Sequence, residues 1–425
     1  MEFNVYWVLI AASVIVILSY FFNALARRTN VPSVLMLIVT GFAISFIIEF
    51  DGETLRPTLE TLGTIGLVMI VLEAALDLYL DKKKAGLIGK SLIIALILLF
   101  FTTLGIALII KFFFEVNQFD ALVYAIPLSI MSSAIIIPSV ANLIGEDKEF
   151  LVIESAFSDI LGIMLFYFIL DSVELQGFGS ISLHVAKNIG LTLIIAVAFG
   201  YLIIILIQKV TGEVKLFLPI AVLVLLYATG KLFHLSSLIF VLAFGLMLNN
   251  INLFFKGFLK RYIIPEAYQE LLSEIKLITL ESSFLIRTFF FIVFGMSITM
   301  DGFNQLSVFI VAILALAIMY FFRWAALRLI TPKLIFPALY VAPRGLITIL
   351  LFYSIPAQHQ IANFSTAILF LVIITSNLIM MYGLIKNSQN LDNTPGEILY
   401  ETPLSESQDT RIEPKPESPD ATALE

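Results

Sequence analysis

Six consecutive residues, Glu154-Ser155-Ala156-Phe157-Ser158-Asp159, place two carboxylates and two hydroxyls inside an otherwise apolar run. On a helix, Glu154 and Ser158 stand one turn apart, as do Ser155 and Asp159, so all four share one face. All are oxygen donors, which suit hard cations and protons. Asp159 lies about ten residues into a run beginning near Glu149, or about 15 Å along a helix. That is half of the roughly 30 Å hydrocarbon thickness of a bilayer. A charged residue at that depth costs about 2.5–3.5 kcal/mol even on lenient insertion scales. Asp159 must therefore face protein, water or a cation. The stripe reads as an ion site, and the competing reading is a helix–helix hydrogen-bond patch with paired charges.

The matching positive charges come late in the chain. Arg287 lies mid-run in Leu-Ile-Arg-Thr-Phe-Phe-Phe, and Glu281, a turn and a half earlier, is its candidate partner. Arg344 stands in Pro343-Arg344-Gly345, where flanking proline and glycine predict a helix break with the guanidinium neutralising half-helix carbonyls. Arg323 either pairs with Glu154 or snorkels. Glu73 and Asp77 are one turn apart, but Asp77 is close enough to Lys82–Lys84 for an interfacial pair and is left off the ion site. Pro127, Ser129, Ser132, Ser133, Pro138 and Ser139 share one apolar run. Ser-Ser ahead of Ala-Ile-Ile-Ile-Pro predicts an interrupted helix, with a simple proline kink as the alternative. Broken helices in secondary transporters present carbonyls and half-helix ends at the midplane.

The elements that carry these residues follow from composition. Hydrophobic residues make up 60% and charged residues 13%, and mean hydropathy is +1.01. A soluble domain is nearer half apolar and about a quarter charged, so lipid is the expected solvent. About thirteen runs are long enough to span. They lie near 5–24, 32–50, 61–80, 86–114, 121–144, 149–171, 182–208, 214–233, 236–250, 277–299, 305–331, 336–356 and 364–385. The stretch Asn250–Lys276 is too polar to span and is expected to be an amphipathic surface helix. One set of alternate loops holds Arg27, Arg28, Lys82–Lys84, Lys148, Lys209, Lys215, Lys256, Lys260, Arg261 and Lys333, against Arg56, Lys111 and Lys231 in the other. The positive-inside rule puts the first set in the cytoplasm, with the N-terminus outside and the C-terminus inside. The first run lacks a basic n-region and a cleavage site and reads as a retained span. The expected fold is all-α and integral to the membrane: about thirteen transmembrane helices over residues 1–386, inverted repeats, and two broken helices (the fifth and twelfth runs) crossing at mid-membrane. Residues 387–425, rich in proline and acid, read as a disordered cytoplasmic tail.

Several function classes drop out. There are no cysteines and only three histidines, so thiolate chemistry, a zinc cluster and a bound cofactor find no support. No basic face with interleaved aromatics points to nucleic acid. A membrane serine protease needs a base, and His184 and His234 fall at span edges. A channel would show repeated pore motifs, and a symporter would need a roomier polar cavity than the few midplane polar residues provide.

With these residues assembled, the chain resembles the monovalent cation/proton antiporter superfamily, in its sodium/proton exchanger group, over about residues 1–386. Glu154-Ser155-Ala156-Phe157-Ser158-Asp159 is similar to the sixth-helix signature, in which Glu-Ser is followed by an Asn-Asp or Asp-Asp pair. Arg287-Thr-Phe-Phe-Phe-Ile-Val-Phe-Gly295, Arg323, Arg344-Gly345 and Ser132-Ser133-Ala134 resemble the family's tenth, eleventh, broken twelfth and broken fifth helices. The resemblance implies a homodimer in the plasma or inner membrane that exchanges sodium, or potassium or lithium, for protons. It implies Asp159 as the shared ion- and proton-binding carboxylate, Ser155 as a sodium ligand, and Glu154 as a structural acid paired with Arg323. Ser158, Ser132 and Ser133 join the expected binding set, and Arg287 and Arg344 compensate charge. Two departures stand out. Position 158 is Ser where the family has Asn or Asp, which favours one-for-one electroneutral exchange. The fifth helix also lacks the acid some exchangers carry beside the break, so carbonyls and serine hydroxyls must supply those oxygens.

Overall fold

The computed structural model describes residues 5–392 apart from 30, 47–51, 81, 142, 144, 172–177, 208–220, 222, 226, 229, 231–236, 257–260, 262 and 299. Helices account for nearly all of it, and no strand occurs among the described residues. In chain order they are α1 (Val5–Thr29), α2 (Ser33–Ser45), α3 (Gly52–Asp77), α4 (Ala85–Phe114), α5 (Gln118–Ser129), α6 (Ser133–Ser139), α7 (Glu146–Asp171) and α8 (Phe178–Ile207). The second half holds α9 (Ser237–Asn249), α10 (Ile251–Phe254), α11 (Pro265–Met296), α12 (Leu306–Ile330), α13 (Ile335–Ala338), α14 (Leu346–Tyr353) and α15 (Thr366–Asp392). Only helices satisfy every backbone group inside one segment, which is why lipid selects them. Seven helices among the described residues have the length and apolarity to cross a membrane. Shorter apolar helices and two interrupted ones fill in the rest of the polytopic pattern.

Three expectations change at the edges. The run at 214–233 and the residues from 393 onward lie largely or wholly outside the described residues. The stretch expected as a separate surface helix instead supplies α10 and the first turns of α11, a continuous helix of 32 residues. Its charged start projects beyond the apolar part of the same helix, so no break is needed where polarity changes. Finally, α15 continues to Asp392, past the boundary expected at 386.

Two groups of helices pack separately. One contains α2, α3, α9 and α11. Gly295 brings α11 onto the backbone of α2, because a Cβ there would overlap the Ile38 carbonyl oxygen and crowd the Phe42 amide. Small residues allow such backbone approach between membrane helices. The other group contains α4, α5, α7, α12 and α15. The third helix joins the two by touching α7 and α14.

The two interruptions lie in the second group. The chain leaves α5 at Ile130 (φ −77°, ψ 131°), runs extended through Ser132 (φ −84°, ψ 111°) and resumes helix at Ser133. The other helix stops after Ala338 and restarts at Leu346, with Pro343-Arg344-Gly345 in the gap. Proline lacks the N–H that would continue a ladder and disfavours α backbone in the residue before it.

Candidate functional site

The two gaps bond to one another. The Ser132 amide donates to the Pro343 carbonyl at 3.0 Å. Gly345 permits the approach, since a Cβ there would lie 2.9 Å from Ser132 Oγ and 3.2 Å from Ser132 Cβ. Each broken helix leaves carbonyls without the amide donors four residues on. Arg344 answers that deficit. Its Nε donates to Leu128 O at 2.9 Å, its Nη2 to Ser129 O at 3.2 Å and its Nη1 to Ala342 O at 2.8 Å. Leu128 and Ser129 end α5, where the macrodipole is negative, so a fixed cation is favourable there.

Two residues that sequence reasoning passed over hold Arg344 itself. Its amide donates to Ser376 Oγ at 3.0 Å, and Asn377 Nδ2 donates to its carbonyl at 2.9 Å. Both partners sit fully buried on α15. The available signal was a Ser-Asn pair in the middle of an apolar run, a costly choice unless the polar groups find partners.

The polar stripe on α7 divides by partner. Glu154 turns to α12, where Arg323 Nη1 and Nη2 donate to its two oxygens at 2.8 and 3.1 Å. Arg323 Nε also donates to Ala338 O at 2.7 Å, at the start of the second gap. Arg323 is 2% exposed and Glu154 0%, so this is a buried, bidentate pair rather than a snorkelling arginine. One turn on, Ser158 Oγ accepts from the Met131 amide at 2.9 Å, capping a backbone donor freed by the first gap. A void of about 20 Å³ lies between Glu154, Ser158, Arg323 and Arg344. It is large enough for a single water.

Asp159 points to the other side of the gap. Its Oδ2 accepts from the Ser133 amide at 3.1 Å and, more closely still, from the Ser133 hydroxyl. Ser133 opens α6, so its N–H has no acceptor within that helix. The other oxygen, Asp159 Oδ1, is buried and has no hydrogen-bond partner among the described residues, and neither has Ser132 Oγ. Ser155 Oγ donates to Val152 O at 3.0 Å, which leaves its lone pairs uncommitted. Asp159, Ser132 and Ser155 are each at most 1% exposed. Buried polar atoms of a native protein are normally satisfied, so these open oxygens can still accept a hydrogen bond or a cation.

Arg287 belongs elsewhere. Its Nη2 donates to Glu73 Oε1 at 3.2 Å, across α11 and α3. Glu281, the expected partner, instead accepts from the Tyr20 hydroxyl at 3.0 Å. Six residues along a helix is one and two-thirds turns, which puts Glu281 and Arg287 on different faces. Glu73 keeps its second oxygen, Oε2, buried and unpartnered, and its charge lies within electrostatic reach of Asp159.

The profile of the family described as "Sodium/hydrogen exchanger, transmembrane" matches residues 12–383. No curated protein matches the chain. Among solved structures the fold is similar to the sodium proton antiporter MjNhaP1 from Methanocaldococcus jannaschii at pH 8. That likeness has a TM-score of 0.70 and 17% identity, covering 91% of this chain and 97% of the other. An electron-microscopy structure of the same antiporter gives a TM-score of 0.67 at 17% identity, covering 92% and 97%.

Proposed function

The chain belongs to the sodium/hydrogen exchanger family, and we propose that it exchanges sodium for protons across the cell membrane, with both ions competing for Asp159. The observation that carries this reading is the pair of buried, unpartnered oxygens, Asp159 Oδ1 and Ser132 Oγ, at the gap between α5 and α6. In water-free surroundings an ionised carboxylate with an open oxygen is costly. A proton on Asp159 removes the charge. A sodium ion neutralises it and takes oxygen from Ser132 and Ser155. Only the loaded forms then cross the low-dielectric barrier, and that couples the two flows.

The acids of α7 support a one-for-one stoichiometry. Glu154 is committed to Arg323, and position 158 is a serine engaged with Met131. That leaves Asp159 as the exchanging carboxylate of α7, so one proton moves for one sodium and transport is electroneutral. The loop charges orient the N-terminus outside and the C-terminus in the cytoplasm, and the working unit is a homodimer.

The test uses purified protein in proteoliposomes, with pH-gradient dissipation followed on adding sodium, lithium or potassium. Asp159→Asn is expected to abolish exchange, and continued exchange at the normal rate would refute the assignment. Clamping the membrane potential is expected to leave the wild-type rate unchanged, and a rate that follows the potential would refute electroneutrality. A rate higher in potassium than in sodium would replace sodium as the substrate and leave the site intact.

A further inference from the structure

A cavity lies away from Asp159, where the residues after α3 meet the α9–α10 junction and the start of α11. It is a half-open pocket of about 790 Å³, within the range of small-molecule sites. Its walls come from the residues after α3, from the α9–α10 junction, and from the first turns of α11.

These walls are tied together by the protein itself. Asn250 Oδ1 accepts from the Leu80 amide at 2.7 Å, and its Nδ2 donates to Leu78 O at 2.8 Å. From the third wall, the Tyr268 hydroxyl donates to Leu248 O at 2.7 Å. The cavity is therefore preformed, and an occupant need not order it.

Its chemistry is one-sided. Lys83, Lys256 and Lys276 line it, with Asn249, Asn252 and Gln269 as neutral hydrogen-bonding groups. No carboxylate lines it among the described residues. Asp77 lies within electrostatic reach of Lys276 but does not line the cavity. Apolar side chains of Leu272, Ile263 and Phe255 complete the lining. Ammonium groups and amides recognise an anionic oxygen cluster, and basic pockets between membrane helices suit anionic lipid headgroups. Lys83 and Lys256 also belong to the loop set that carries the basic excess, the side on which anionic lipid attraction acts.

We propose that this cavity binds a phosphate group, either the headgroup of an anionic glycerophospholipid or free inorganic phosphate, through Lys256, Lys276 and Lys83. The apolar lining favours the lipid, whose acyl chains would lie along Leu272 and Phe255. Occupancy would tie α3 to α9 and α11.

Native mass spectrometry of the delipidated full chain in detergent tests this by titration with dioleoyl phosphatidylglycerol, dioleoyl phosphatidylcholine or inorganic phosphate. Each lysine near the headgroup contributes about a fivefold affinity gain. Phosphatidylglycerol is expected to bind wild type, about fivefold more weakly to Lys256→Gln, and about 30-fold more weakly to Lys256→Gln/Lys276→Gln. Lys256 is exposed, so its single variant folds and keeps the test valid if the double variant does not. Lys333→Gln, outside the cavity, is expected to bind like wild type. If inorganic phosphate binds with the same lysine dependence, the site is supported and its source is soluble phosphate. Three outcomes overturn the proposal: phosphatidylcholine binding as well as phosphatidylglycerol, lysine variants that retain full affinity, or a Lys333→Gln loss equal to that of Lys256→Gln.

Discussion

The Glu154–Arg323 pair allows a quantitative test of the site's architecture that needs no transport measurement. Glu154→Gln keeps the side-chain shape but removes the charge. Its amide can accept one Arg323 N–H and turns its own donor toward the other, so both charge-assisted bonds, at 2.8 and 3.1 Å, are lost or weakened. Hydrogen bonds to charged groups are worth about 1.5–3 kcal/mol each, and breaking a buried pair from one side costs about 3–5 kcal/mol. Arg323→Met should cost a similar amount, because it strands a carboxylate that is 0% exposed and takes the donor from Ala338 O. Glu154→Leu/Arg323→Met removes both charges together. Its remaining penalty is the Ala338 carbonyl, about 1 kcal/mol, since a well-packed apolar replacement of a buried pair is often neutral. Stability would be followed by titrating SDS into mixed micelles and monitoring helicity, with the three variants and wild type forming a double-mutant cycle. The expected result is two strongly destabilised single variants and a double variant close to wild type. Single variants within about 1 kcal/mol of wild type, or a double variant as weak as the sum of the singles, would refute the view that this pair is desolvated and mutually dependent.

Three further expectations concern the gaps. Arg344→Met leaves Leu128 O, Ser129 O and Ala342 O without their donor; at about 1 kcal/mol or more per orphaned group, amide exchange of residues 128–133 measured by mass spectrometry should accelerate at least tenfold. Ser132→Ala should change stability by less than about 1 kcal/mol, because its hydroxyl has no protein partner, while the KM for sodium rises several-fold; an unchanged KM would remove Ser132 from the ion site. Gly345→Ala places a methyl 2.5 Å from Ile135 Cδ1 and 2.9 Å from Ser132 Oγ, so both side chains must shift at the gap, and exchange in proteoliposomes should fall with the protein still folded by size-exclusion chromatography.

Much of the site was legible because lipid makes polarity expensive. Glu154, Asp159, Arg323 and Arg344 each stand in an apolar run, and each is buried against a polar partner. Ser132-Ser133 and Pro343 stood at the two interruptions, the second because proline lacks the N–H that would continue a helix. Partners were harder to read. Arg287 lay near Glu281 in sequence and bonded Glu73, over two hundred residues away. Ser376 and Asn377 support Arg344 from the last helix, and nothing in their spacing says which backbone they meet.

The sequence by itself determined the solvent, the helical class, the places where helices break and the residues too polar to face lipid, because each of these depends on the chemistry of a local stretch. Tertiary structure alone decided how the α7 stripe divides: Glu154 to Arg323, Ser158 to the Met131 amide, and Asp159 to Ser133 with one oxygen left open. Helical periodicity puts four oxygens on one face, but only the positions of α5, α6 and α12 determine which of them find a donor.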